Sequence, residues 1–216
     1  MSDRTKARQP AMRRSPQRAR GQQRVSLILE TAEQLFADRG YEAATTNEIA
    51  AAAGIPIGSI YQFFPNKEAI LHALLAGYRA DLAAAYDALA TPEFARLPFA
   101  VAIERMLGVT IEYGGAHMAF SRIALLSAPG SQLAAAADTL FADVLARFEA
   151  LLAARAPGLG PHQRRLYATV GLTAANAILA RAISAKHAGE YTLGHDLLEQ
   201  SSALLVAYLT LAIEQI

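Results

Sequence analysis

Ser59, Tyr61, Gln62 and Lys67 fall within one short stretch, and their side chains offer two hydroxyls, an amide and an ammonium group. Such groups suit nucleic acid. Hydroxyls and ammonium groups bond phosphate oxygens, and an amide has the geometry for two simultaneous bonds to the major-groove edge of adenine. No arrangement suited to bond-making chemistry competes with them. The chain has no cysteine, which excludes disulfides, thiolate metal sites and cysteine nucleophiles. It shows no Walker loop, dinucleotide fingerprint, metal-spaced histidine pair or nucleophile–base constellation. No catalytic residue, metal or cofactor is therefore assigned.

Two short helices must present those side chains. Thr45-x-x-Glu48 is a capping box, in which the hydroxyl accepts from a free N–H of the first turn and the glutamate reaches back to the cap residue, so a helix starts at about Thr46. Ile49 anchors it, Ala50 and Ala53 are small enough for a second helix to cross closely, and Gly54 ends it in the left-handed conformation. Pro56 is tolerated in the first turn of the next helix, where Ile60 and Phe64 form an inward i, i+4 pair and the opposite face stays free to meet a groove. The result is a helix-turn-helix.

Thr45 through Leu71, preceded by Ala32-x-x-Leu35-Phe36-x-x-Arg39-Gly40-Tyr41, resembles the DNA-binding domain of the tetracycline-repressor (TetR) family. Residues 58–68, Gly-Ser-Ile-Tyr-Gln-Phe-Phe-Pro-Asn-Lys-Glu, are close to that family's signature, and the resemblance covers roughly residues 25–75. It implies a set of DNA contacts. Thr46 would bind phosphate through its hydroxyl and nearby N–H groups, and Arg24, Thr45 and Asn47 are further DNA-contact candidates. Gly58 and Ser59 would bring the second helix close to bases, Tyr61 and Lys67 would contact the backbone, and Gln62 would read adenine. Phe63 stands where many relatives place histidine, which suits a thymine methyl rather than phosphate. Ile57 occupies an outward position that is often polar in relatives.

Charge is unevenly spread. In residues 1–24, Arg4, Lys6, Arg8, Arg13, Arg14, Arg18, Arg20 and Arg24 stand against Asp3 alone, a local charge of +7 within a net +1. With Pro10, Pro16 and Gly21 and no apolar periodicity, residues 1–23 are expected to form a disordered arm. The arm would lie along phosphates or enter a minor groove; the alternative is an inert solubilising tail. A helix-turn-helix domain over 24–70 and a larger helical domain over 71–216 follow.

The remaining pattern is helical. An amphipathic helix carries Val25, Ile28, Leu29, Ala32, Leu35 and Phe36 and ends at Gly40, and a long helix from Lys67 to about Leu89 links the two domains. Thr91-Pro92 and Leu97-Pro98 break the chain, after which helices are expected at about 98–114, 117–127, 130–155, 161–187 and 194–215. The last two have apolar residues on more than one face, which predicts a homodimer through a four-helix bundle. No apolar run approaches the ~20 residues that cross a bilayer, and the arginine-rich start lacks an apolar h-region. A soluble cytoplasmic protein without membrane contact is expected. Tyr86, Met106, Tyr113, His117, Phe120, Phe141 and Tyr167 are candidate ligand contacts, as are Thr173 and Asn176, whose amide sits among apolar residues and needs a partner.

Together these features predict an all-α, homodimeric, DNA-binding transcriptional regulator, chiefly a repressor. Its affinity for a pseudo-palindromic operator would be controlled by a small molecule in the C-terminal domain. The alternative is a ligand-independent architectural DNA binder, or a regulator controlled by a protein partner.

Overall fold

The computed structural model describes residues 16–117, 119–121 and 132–214. Helix α1 (Pro16–Arg39) ends at Gly40, whose φ of 84° is the left-handed conformation that closes a helix without a Cβ clash. Its start corrects one expectation. Residues 16–23, assigned to a free arm, form the first turns of α1. They are mostly Arg, Ala and Gln, good helix formers, and a helix nucleated over Val25–Phe36 propagates into them at one bond per residue. Residues 1–15, the rest of the expected arm, lie outside the described residues.

Helices α2 (Thr46–Ala52) and α3 (Ile57–Tyr61) meet at Gly54, where φ is 65°. Helix α4 (Lys67–Ala88) is capped by Asn66, whose side-chain oxygen accepts from the Ala69 N–H at 2.8 Å. Ile28, Ala32 and Phe36 of α1 close over Ile49, Ala50 and Ile60, with Ile70, Leu71 and Leu74 of α4 completing the N-terminal core. Burying each of these larger side chains contributes about 1.5–3 kcal/mol. The same helix then supplies Tyr78, Leu82 and Tyr86 to a second core, so α4 belongs to both domains.

Beyond it come α5 (Pro92–Arg96), α6 (Phe99–Ala116), α7 (Gln132–Arg155), α8 (Pro161–His187) and α9 (Tyr191–Glu214). The stretch between Thr91-Pro92 and Leu97-Pro98, read as a break, is a single helical turn. Thr91 caps it, accepting from the Phe94 N–H at 3.1 Å. Helix α9 begins three residues earlier than expected, at Tyr191. Most of the helix expected at 117–127 lies outside the described residues.

Helices α8 and α9 form an antiparallel pair in close contact. A Cβ built at Gly171 would lie 2.3 Å from Leu205 Cδ1, so glycine lets the two axes approach there, and Ser201 Oγ donates to the Ala175 carbonyl at 3.4 Å. The reading that no run is long and apolar enough to cross a bilayer needs correction. Pro161–Lys186 is, by length and composition, with a mean hydropathy of 1.4. Here one side of α8 packs on α7 and α9, and the other leaves Leu166 and Val170 exposed.

Candidate nucleic-acid interface and ligand cavities

The capping box is formed. Thr45 Oγ1 accepts from the Glu48 N–H at 3.2 Å, and Glu48 Oε2 accepts from the Thr45 N–H and hydroxyl, both at 2.9 Å. Arg39 Nη1 holds the other carboxylate oxygen at 2.7 Å. The hydrogen bonds from Thr45, aided by the Arg39 charge, hold the Glu48 carboxyl below the ordinary range. The DNA contact expected of Thr45 is corrected by this geometry. Its hydroxyl and N–H are both committed to the cap, so it positions α2 instead.

The outward face is built from α2 and α3. Thr46 Oγ1 and Tyr61 Oη lie 3.4 Å apart, so one hydroxyl from each helix converges on a single point, and Tyr61 is 54% exposed. Asn47, Gly58 and Gln62 are exposed, Ser59 is half-buried, and nothing would meet a Cβ added at Gly58 within 4 Å. That leaves space for a base edge. Phe63, 39% exposed, reaches within 4.0 Å of a Cβ placed at Gly21, so the N-terminal turns of α1, with exposed Arg20 and half-buried Arg24, flank the reading helix.

Two assigned contacts are corrected by their surroundings. Ile57, read as outward, is half-buried and packs on the core, because α3 is short enough that its first turn still lies over the hydrophobic cluster. Lys67, read as a phosphate contact, donates to the carbonyls of Tyr41, Glu42 and Ala44 at 2.6, 3.2 and 2.9 Å and stands 4.2 Å from the Tyr41 ring centroid. An ammonium has three donors, and all three are used.

In the C-terminal domain the residues expected to bind a ligand fall into separate places. Tyr86 and Met106 line one cavity, and Tyr86 Oη bonds the Met106 carbonyl at 3.2 Å and Thr110 Oγ1 at 2.8 Å. Tyr113 and His117 instead form an aromatic cluster with Tyr78 and Phe120, the Tyr113 and His117 rings stacking at 4.3 Å. His117 Nδ1 lies 2.8 Å from Glu33 Oε1 of α1, tying the two domains together. Tyr78 Oη is buried beside Glu33, and burial, reinforced by the Glu33 carboxylate, holds it protonated far above the usual tyrosine range.

Four further candidates line none of the three cavities described below. Phe141 packs against the core, and Tyr167 sits edge-on to Tyr208 at 6.2 Å in the α8–α9 seam. Thr173 is on the exposed stripe of α8, and Asn176 is half-buried. Their helix carries apolar residues all round, so sequence alone did not reveal which face turns inward.

Cavities do exist, though none is fully enclosed. One of about 650 Å3 lies between α4 and α7, and another of about 390 Å3 is bounded by the end of α4, α5, α6 and α7. They share Tyr86, Arg147 and Ala150. A third, about 360 Å3, lies among α6, Phe120, α8 and α9. Arg147 and Arg155 line the second cavity and escaped the sequence reading. The available signal was their eight-residue spacing on one side of a helix, interleaved with Ala150 and Ala154.

Comparison with known proteins resolves what this arrangement is. The family description "Bacterial regulatory proteins, tetR family" matches residues 28–74, and "Tetracyclin repressor-like, C-terminal domain" matches residues 98–209, about half of the chain. The chain belongs to the TetR family. The HTH-type transcriptional repressor KstR2 of Rhodococcus jostii is 44% identical over 59 residues, 27% of this chain and 29% of that protein. KstR2 of Mycobacterium tuberculosis is 42% identical over 69 residues, 30% of this chain and 34% of that protein. The chain thus spans about a third of the length of these curated relatives. In fold, it resembles the fatty acid degradation regulator FadR from Bacillus halodurans (TM-score 0.66, 18% identity, 85% of this chain and 94% of that one). FadR from Bacillus subtilis, solved with stearoyl-CoA, gives a TM-score of 0.61 at 16% identity over 85% of this chain and 98% of that one. The match to the TetR family and its fold therefore extends over both domains.

Proposed function

We propose that this TetR-family protein is a homodimeric cytoplasmic repressor that releases a pseudo-palindromic operator when a small molecule enters its C-terminal domain. The observation that carries the reading is the double membership of α4. Its first half completes the core under the reading helix, and its second half walls the adjoining cavities of about 650 and 390 Å3, which share Tyr86. A molecule seated there with different affinities for two tilts of α4 biases the DNA-reading head. The cavities favour this over a ligand-independent architectural protein. The dimer is supported by Leu166, Val170, Leu204 and Leu211, which are 44–57% exposed on α8 and α9. Grouped large apolar side chains of that kind mark an interaction face.

Selection of bound sequences from a random DNA pool, with the purified protein, tests the reading. An inverted repeat with half-sites about one turn apart is expected, and the selected DNA should be released by a subset of metabolite fractions. Enrichment of no sequence would sink it.

A further inference from the structure

We propose that the cavity bounded by α4, α5, α6 and α7 is the effector site, and that it takes an amphiphile with an apolar body and a single anionic head held by Arg155. This rests on the ligand-responsive reading above and specifies the class of ligand. The walls supply the first half of the argument. Leu89, Phe94, Met106 and Leu151 give an apolar interior of about 390 Å3, within the range of small-molecule sites. Charge supplies the second half. The two charged residues that line the cavity are both arginines, and no carboxylate lines it.

The two arginines are held differently. Arg147 pairs with Asp87 at 2.8 Å, and that carboxylate is 72% exposed at the outer rim. Arg155 has no acidic partner within ion-pair distance among the described residues. Its Nη1 donates to the Leu97 carbonyl at 2.7 Å and its Nη2 to the Phe94 carbonyl at 3.0 Å. Those bonds fix the guanidinium plane against α5 without cancelling its charge. A half-buried cation beside an apolar space is stabilised by an anion that brings its own apolar surface, because a hydrated inorganic ion would leave the walls unfilled. The one hydroxyl among the lining residues, Tyr86 Oη, is already bonded to the Met106 carbonyl and Thr110 Oγ1. The arginine therefore recognises the head, and the cavity recognises the tail.

Position connects the site to DNA. Tyr86 and Leu89 stand at the far end of α4, and Arg155 bonds the α5 turn that follows it. A head group competing for the Arg155 donors loosens α5, and a tail entering beside Tyr86 displaces the end of α4.

The test titrates the full-length protein by calorimetry with dodecanoate, below its micellar concentration, and in parallel with uncharged dodecanol. Anisotropy of selected operator DNA follows in each case. Dodecanoate should bind once per chain, more tightly than dodecanol, and should release DNA. Arg155→Ala should weaken dodecanoate by about tenfold or more while leaving dodecanol nearly unchanged. Because Arg155 also braces α5, a second variant keeps the site falsifiable. Ala154→Phe alters an exposed wall position and should block both compounds while the melting temperature holds. Equal binding of the two compounds, equal losses in Arg155→Ala, or undiminished dodecanoate binding by Ala154→Phe would overturn the assignment. DNA release by dodecanol alone also overturns it, yet leaves the ligand-responsive reading standing. Arginine-dependent binding without any change in DNA affinity upholds the site and sinks its role as an effector site.

Discussion

Gln62 and Tyr61 are neighbours with different work. The exposed amide of Gln62 can form two bonds with one base, whereas the Tyr61 hydroxyl, converging with that of Thr46, offers a bond suited to phosphate, which carries no sequence information. Gln62→Ala should therefore cost about 1–3 kcal/mol at one base pair and little at others. Tyr61→Phe should weaken all sequences by a common factor. Binding profiles over a library of single-base operator variants separate the two, and identical profiles would mean that this face does not read DNA. Lys67 behaves differently from both. It satisfies three carbonyls of the loop before α2, so Lys67→Met should lower folding stability by about 2 kcal/mol in urea melts. An unchanged urea midpoint would restore it to the phosphate-contacting set. The sequence points to Gln62 because amide geometry is a property of the residue itself. It left Lys67 illegible because an ammonium is equally suited to phosphate and to carbonyl oxygen, and only the folded loop shows which is near.

Among the elements, boundaries were legible wherever a side chain or a glycine enforces them. Thr45 with Glu48, Gly54 and the Gly160-Pro161 start of α8 all stand where the spacing put them. The start of α1 was not legible, since residues 16–23 have no apolar face and are helical only because the downstream turns are. The cavities were equally hidden: their walls come from helices far apart in sequence, and alanines give no sign of which side they leave empty. Packing of α8 on α9 is the most sharply testable element contact. Gly171→Ala places a methyl into the fully buried Leu205, which should cost about 1–3 kcal/mol as overpacking. Leu205→Ala in the same chain should recover part of that loss. A double-mutant cycle in chemical denaturation measures it, and strict additivity would mean the two residues do not meet.

For the whole molecule, assembly and charge decide how DNA is held. Leu204→Glu puts a carboxylate on the exposed face of α9 without touching the intrachain core, so sedimentation should show monomers and operator affinity should fall steeply. Dimers that persist would move the two-fold contact elsewhere. Removing residues 1–15 takes away Arg4, Lys6, Arg8, Arg13 and Arg14 while leaving α1 whole. The slope of log affinity against log salt should become shallower by about 0.9 for each phosphate that the shortened chain no longer neutralises, and an unchanged slope would make the segment a passive tail. The Lys67 staple has a mechanical side as well. Because its three bonds weld the loop before α2 to the first turn of α4, the reading head cannot swivel on that helix and must follow it. With 22 residues at about 1.5 Å each, α4 is a rod about 33 Å long, so a tilt of only about 5° at the cavity end swings the head by about 3 Å. In a two-fold pair the heads move in opposite senses and the gap between them changes by about 6 Å. A hydrogen bond tolerates roughly half an ångström. In the proposed two-fold pair, that weld would set a gear ratio at which a displacement smaller than one methyl group beside Tyr86 suffices to carry both heads out of hydrogen-bond reach of DNA.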